Sequence, residues 1–501
     1  MDSLQGLAYG FAVALSGPNL LACLFGVLVG TVVGVLPGIG PIGAMALLIP
    51  STFSLGPTTA LIMLAGIYYG SMYGGSTTSI LVNVPGEAAS VVTAIDGYQM
   101  ARKGRAGAAL AVSATGSFVA GSLGIVALMF FAPPLAEMAL EFGPPEYFAL
   151  TLVGLVFLSG IGGGSKLKSF LMVAFGLLLG TVGMEPISGL PRFTLGQLSL
   201  AQGVELVPVA MGLYGIGEVL IIAERITGVP ELIRVKFREL FPTADEWKKA
   251  FPPMVRGGGI GFFIGLIPGP AAILSTFAAY SLEKKISHRP EEFGKGAVEG
   301  VAGPEAANNS ATAGAMVPLL ALGIPFAPAT AMLIGALIIH GVQPGPLLMT
   351  QQPEIFWGVV ASMYIGNLVL LILNLPLVGV FASILRLPQY LLMGLILLLC
   401  LVGTYSVNNS ILDLYILIGM GGVGYFLRKL KFDMAPLILA LVLGPMMEKT
   451  LRQSLFMARG EVWQIIARPI PIVLYSMAVA VIVLPFLYRM VKKQSKTRRH
   501  S

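Results

Sequence analysis

Residues 74–86 read GGSTTSILVNVPG, a run of hydroxyls and one amide set inside a very apolar region. Ser76, Thr77, Thr78, Ser79 and Asn83 follow two glycines and precede Pro85-Gly86. Inside a bilayer an unpaired backbone group costs several kcal/mol, so broken helix survives only beside protein or a water-filled cavity. Such hydroxyls can also bond back to their own helix while the glycines serve close packing. A second polar cluster, NNSAT at Asn308–Thr312, places Ser310 and Thr312 234 residues after Ser76 and Thr78. The echo favours a binding site shared by two copies of one unit, with broken helix at both motifs.

Composition sets the class. The chain has 501 residues, 56% hydrophobic and 11% charged, with 63 glycines and a mean hydropathy of +0.86. Apolar runs such as 149–161 and 391–402 recur along it, several near the ~20 residues that a spanning helix needs. The expected fold is all-α, a polytopic integral membrane protein with about 10–12 spanning helices. A β-barrel would show short alternating segments instead. The net charge of +7, from 31 basic and 24 acidic residues, lies in clusters between apolar runs. Cytoplasmic loops carry that signature, and nucleic acid is not an expected partner. Cys23 and Cys400 both sit in apolar runs, which gives no disulfide framework.

Upstream of the opening motif, Gly26, Gly30 and Gly34 form a small-residue stripe that ends at Pro37-Gly38. The same frame returns 231 residues later as Gly257, Gly261, Gly265, Pro268 and Gly269. Both segments are expected to form broken or re-entrant hairpins, 26–53 and 257–282. A third match pairs Val84-Pro85 and Ser90 with Ile324-Pro325 and Thr330 at an offset of 240. Residues 1–107 then hold the first repeat half, with polar motif 74–86. Residues 108–226 supply four connecting spanning helices, and 227–256 a charged cytoplasmic linker with a surface amphipathic helix or a plain solvated connector. Residues 257–346 hold the second repeat, with polar motif 304–325. Residues 347–490 are C-terminal spanning helices, and 491–501 a basic cytoplasmic tail.

Charge placement orients the copies. No Lys or Arg falls between residues 39 and 73, and Arg102, Lys103 and Arg105 follow the first motif. In the second copy Lys284, Lys285, Arg289 and Lys295 precede the motif. Equivalent loops then lie on opposite sides of the membrane, as in the inverted repeats of secondary transporters. Lys449, Arg452, Arg459 and Arg468 fit poorly with the outside position that parity gives them.

The substrate-binding candidates are Ser76, Thr77, Thr78, Ser79, Asn83, Asn308, Asn309, Ser310 and Thr312. Both hydroxyl motifs lack Lys and Arg, so an anion there would be held by hydroxyls, amides and helix N-terminal N–H groups. Backbone carbonyls of Pro37, Gly38, Gly40, Pro268 and Gly269 are the candidate Na⁺ ligands. Glu87 and Glu305 stand beside the breaks, as helix caps or as ion carriers. Gly419, Gly421 and Gly424 match GxGxxG without a preceding strand, and no HExxH, GxSxG or Walker lysine is in register, so no enzyme is expected.

The segments 34–41 (GVLPGIGP), 70–104, 266–280 and 293–325 resemble the large membrane subunit of tripartite tricarboxylate transporters, the TctA family. The resemblance covers nearly the whole chain. It implies a permease of the bacterial inner membrane, with a small four-helix membrane subunit and a periplasmic solute-binding protein as partners. It also implies ion-coupled uptake of citrate-like carboxylates, with Na⁺ or H⁺ as coupling ion and no cofactor, and an elevator-type mechanism. A channel or a non-transporting scaffold subunit are the alternatives.

Inversion is testable directly. With Cys23 and Cys400 removed, a single cysteine at Ser54 should react with an impermeant thiol reagent on intact spheroplasts. One at Ser287 should react only after the membrane is opened. Labelling of both from one side would mean that the copies are parallel.

Overall fold

The computed structural model describes residues 2–36, 38–161, 165–185, 188–224, 233, 237–480 and 483. The helices are α1 Ser3–Ala14, α2 Gly17–Val35, α3 Gly40–Leu48, α4 Pro57–Val82, α5 Val91–Met100, α6 Ala106–Ala139, α7 Pro144–Ile161 and α8 Lys166–Gly180. They continue as α9 Leu206–Glu224, with a π-helical turn at Met211–Ile216, and α10 Ala244–Gly265. Then come α11 Ala271–Ile286, α12 Glu299–Leu322, α13 Pro328–Ile339, α14 Pro353–Asn374, α15 Gln389–Asn408, α16 Ile411–Lys429, α17 Ala435–Met457 and α18 Pro469–Ala480. Among the described residues, six helical stretches are long and apolar enough to cross a membrane, within α2, α6, α9, α14, α15 and α16. The 26-residue α4 is about 39 Å long at 1.5 Å per residue, which also exceeds a bilayer core. One two-strand hairpin interrupts the all-α pattern, with Gly183 opposite Arg192.

The chain forms two compact units. One comprises Met1–Leu140, Glu205–Ile267 and Ala271–Lys429; the other Glu141–Val204, Pro268–Pro270 and Leu430–Ser501. The first unit is built on two closely packed helix pairs, α2 with α4 and α10 with α12. Apolar attraction between helices is weak in lipid, so association depends on how near the backbones can come. Gly26, Gly30 and Gly34 face the backbone of α4 at Met63, Ile67 and Ser71, where an added methyl would overlap main-chain atoms. Gly257, Gly261 and Gly265 meet α12 in the same way at Gly303, Ala307 and Ala311.

This packing corrects two expectations. A Cβ built on Gly34 comes within 3.0 Å of the Gly74 Cα, and one on Gly265 within 2.8 Å of the Gly314 Cα. The second helices therefore correspond at 314 minus 74, an offset of 240, while the first keep 231. The αL residues that end them, Asn83 and Gly323, keep 240 as well. Ser76 and Ser310, matched at 234, thus stand six residues apart in register, about 9 Å along a helix.

Second, the hydroxyls of the polar motifs lie in unbroken helix, and each motif breaks only at its end, at 83–86 and at 323–325. Helix α4 runs unbroken through Gly74-Gly75 and the hydroxyls to Val82, and NNSAT lies in mid-α12. Thr78 and Ser79 donate to the Gly75 carbonyl at 3.0 and 3.1 Å, and Thr312 to that of Asn308 at 3.2 Å. Gly74 serves contact with α2, and Gly75 faces Glu87 and Ser90. Further breaks separate α2 from α3 and α10 from α11, where Gly38 and Gly269 have φ of +102° and +142°.

Near the linker, α10 starts well before Gly257. Thr243 caps it, accepting the Glu246 N–H at 3.3 Å, while Glu246 accepts the Thr243 N–H at 2.6 Å. That reciprocal pair satisfies two donors the helix would leave open. Residues 225–232 and 234–236 of the expected linker lie outside the described residues, as does the basic tail 491–501.

Ion pairs organise the second unit. Arg192 pairs with Glu448 at 2.7 Å, Arg452 with Glu448 at 3.0 Å and with Glu185 at 3.3 Å, and Arg468 with Glu146 at 3.2 Å. These contacts hold the basic segment 448–468 with Glu146 and the 185–192 loop. At the start of α8, Lys168 reaches the Leu430 carbonyl just before α17, at 2.5 Å.

The glycine contacts predict a sharp contrast within α10. Gly261 has the Ala307 main chain against it, whereas Gly259 faces open space. Gly261→Leu should lower the yield of monodisperse protein in detergent and cost about 1–3 kcal/mol or more. Gly259→Leu should elute and melt like the parent.

Candidate substrate and ion site

The polar residues converge where α4, α5, α6 and α12 meet in the first unit. Glycine contact brings α4 against α2 and α12 against α10, and α6 packs along α12. At the centre stands Glu305, fully buried. Its Oε2 accepts the Ser76 hydroxyl at 2.6 Å, that of Ser113 at 3.0 Å and that of Ser117 at 3.5 Å. Its Oε1 is bonded by the Thr93 hydroxyl. Four hydroxyls from three helices thus surround one carboxylate, each such bond contributing about 1.5–3 kcal/mol if the group is ionised.

One turn further along α12, Asn309 donates to the Ser117 oxygen at 2.7 Å and to the Glu305 carbonyl at 3.3 Å. Asn308 points the other way, its amide donating to Glu87 Oε1 at 3.0 Å. Glu87 is half-buried and also accepts the Ala89 N–H at 2.9 Å, capping the turn that leads into α5. It therefore acts as a cap and as a partner of the NNSAT motif together. Beside Asn309 and Thr312 lies a cavity of about 20 Å³, also lined by Tyr69, Tyr73 and Asn367. That is room for about one water molecule. The Tyr73 hydroxyl donates to Asn367 Oδ1 at 2.5 Å, and the Asn367 amide donates to Phe118 O at 2.9 Å.

Among the other sequence candidates, Ser79 Oγ lies 2.9 Å from Ser90 Oγ, and Thr77 and Thr78 are buried within α4. Ser310 is buried against Gly124 of α6. Asn83 is exposed in the αL conformation that ends α4. Sequence reasoning missed Thr93, Ser113 and Ser117. The last two stand four residues apart in AVSATGSFVAG, on one face of α6.

Among the candidate sodium ligands, Gly38, Gly40 and Gly269 all have positive φ. Pro37 lies outside the described residues. Gly38 faces the Glu218 carboxylate, which pairs with Arg428, and Gly40 and Gly269 have open space where a Cβ would be. Pro268 and Gly269 fall in the second unit, Gly38 and Gly40 in the first.

Residues 20–439 match the family described as the tripartite tricarboxylate transporter TctA family. The chain belongs to the TctA family. Family membership makes this TctA chain a component of a tricarboxylate transporter, in systems with partner subunits. It is 46% identical over 99% of both chains to an Agrobacterium vitis protein described as an uncharacterized 52.8 kDa protein in the TAR-I ttuC′ 3′ region. A second Agrobacterium vitis protein, described as an uncharacterized protein in the TAR-II ttuC′ 3′ region, is 44% identical over 45% of this TctA chain and 94% of its own length. No solved structure matches it.

The two asparagines at the motif edges should behave differently in transport. Asn309→Ala leaves the Ser117 hydroxyl short of a buried donor, at about 1–3 kcal/mol, and should cut tricarboxylate uptake with membrane expression intact. Asn83→Gly keeps the αL cap and should transport normally. Asn83→Ala should lose only stability, about 1–2 kcal/mol of backbone strain. Uptake by Asn309→Ala at the parent rate would remove that residue from the site.

Proposed function

We propose that this chain is the permease subunit of a tripartite carrier in the bacterial inner membrane, importing citrate-like tri- and dicarboxylates. The substrate arrives from a periplasmic solute-binding protein, and a small four-helix membrane subunit completes the complex. The carrying observation is the buried cluster of neutral donors from both motif helices, in a chain whose family transports tricarboxylates. Ser76, Thr77, Thr78, Ser79, Asn308, Asn309, Ser310 and Thr312 form the substrate region, with Asn83 at its edge. A scaffold has no need of such a cluster.

Electrostatics favours ion coupling. The region holds Glu87 and Glu305, and hydroxyls and amides only partly compensate a negative guest. A bound cation, sodium or proton, offsets the repulsion between these carboxylates and a substrate carboxylate, so each makes the other bind better. The matched helix pairs α2–α4 and α10–α12 support two repeats. With inverted orientation they would move the site across the membrane as an elevator does. The ion pairs that join 448–468 to Glu146, Glu185 and Arg192 support an outside position for all these residues.

The test is uptake of radiolabelled citrate in cells that lack their own citrate carrier, expressing the chain with the products of the genes beside it. Uptake should saturate, survive ATP depletion while ion gradients are held, and collapse when both the sodium and the proton gradient are dissipated. Non-saturating flux that ignores both gradients would mean a channel, and no flux of any carboxylate would mean a scaffold.

A further inference from the structure

Two buried carboxylates of the first unit keep contrasting company. Asp96 Oδ1 accepts three backbone N–H bonds, from Gly294 at 2.8 Å, Gly296 at 2.7 Å and Ala297 at 2.9 Å. Its Oδ2 accepts the Tyr280 hydroxyl at 2.9 Å. An N–H can only donate, so these three partners cannot turn to accept as a hydroxyl can. Asp96 is a fixed staple that ties the start of α12 to α5.

Glu305 has no N–H partner among its side-chain bonds. Ser76, Thr93, Ser113 and Ser117 all present hydroxyls. A hydroxyl donates to an ionised carboxylate and, after turning about its C–O bond, accepts from a protonated one. The cage therefore serves both states of the acid without moving a helix. It leaves no gap for a metal cation between Glu305 and its closest partners. At 2.6 Å the Ser76 oxygen and Oε2 already share one hydrogen, and Thr93 bonds Oε1.

We propose that Glu305 is the group that binds and releases the coupling proton, a role that rests on the ion-coupled carrier described above. Loading forms one O–H bond on the carboxylate with a proton taken from water, and unloading breaks that bond and returns the proton to water on the other side. Ser117 links the event to the substrate region, because it donates to Glu305 while accepting from Asn309. When Glu305 is protonated, its O–H needs an acceptor, and Ser117 is one of the hydroxyls that can turn to supply it while keeping the Asn309 bond.

The charged and titratable groups around this position are few. Glu87, on the turn before α5, and Tyr73 of α4 interact electrostatically with Glu305. Asp96 of α5 has its own four donors, and Glu299 stands at the start of α12 itself. Arg256 of α10 and Glu283 of α11 pair with each other at 2.6 Å. Helix α6 contributes hydroxyls at this level, and among the described residues Glu305 is in no ion pair.

The test has a substrate-free arm and a transport arm. Infrared difference spectra between acid and alkaline pH, taken on the purified full chain in lipid nanodiscs, should contain a buried-carboxyl C=O stretch. That band should vanish in Glu305→Gln and persist in Asp96→Asn. An unchanged band in Glu305→Gln overturns the proposal whatever the chain transports. In cells expressing the complete system, Glu305→Gln should lose citrate accumulation driven by an imposed pH gradient, yet keep exchange of external for internal citrate. Glu305→Asp should restore part of the accumulation. Loss of exchange together with accumulation, or of neither, overturns the carrier role. If the parent moves no carboxylate while the band behaves as expected, the transport reading fails and the proton site stands.

Discussion

Contact between glycine-bearing helix faces is the constraint on which the rest of the first unit depends. Gly34 lies on Gly74 and Gly265 on Gly314, at separations that a side chain on either partner would prevent. Lipid supplies little apolar drive for helix association, so this nearness is what dispersion and backbone complementarity can use. It fixes the rotation of α4 and α12 as well as their depth. A face that carries glycines toward α2 or α10 leaves the hydroxyls and amides to point elsewhere, and α5 and α6 close over them. The polar cluster follows from the packing.

The same geometry explains why uninterrupted helix is compatible with so many polar groups. Thr78, Ser79 and Thr312 spend hydrogen bonds on carbonyls of the preceding turn. Ser76, Ser113, Ser117 and Thr93 spend theirs on Glu305. A buried carboxylate and the hydroxyls around it satisfy each other, and neither set would be tolerable in lipid alone. The two acids are also not symmetry mates. At an offset of 240 Glu87 falls on Ala327 and Glu305 on Ala65, so whatever symmetry the helix pairs keep, the charge has been placed once on each side of the cluster. Only the caps are shared: Ser90 and Thr330 bond the N–H of residues 87 and 327 at 3.4 and 3.0 Å.

In the second unit two of the four basic residues that fit poorly with a positive-inside count are partnered. Arg452 and Arg468 meet Glu185, Glu448 and Glu146, so their charges are locally compensated. Which carboxylates lie within reach is a matter of tertiary contact, since Glu146 and Arg468 are 322 residues apart.

The sequence by itself determined the class, the family and most helices, because apolar runs of bilayer length and long specific motifs are local signals. Periodic glycines also announced the faces that pack. Register along the second helices did not emerge, because two hydroxyl motifs looked alike at 234 while backbone contact sets 240. The state of the polar motifs was equally hidden. A glycine before a hydroxyl run is locally the same whether it admits a break or a neighbouring backbone, and only the presence of α2 decides. Thr93, Ser113 and Ser117 carry no signal apart from spacing, and they gain meaning once α5 and α6 bring them to a carboxylate about 190–210 residues away in the chain. Local chemistry is written in the order of residues; the partner that gives each polar group its role is chosen by packing.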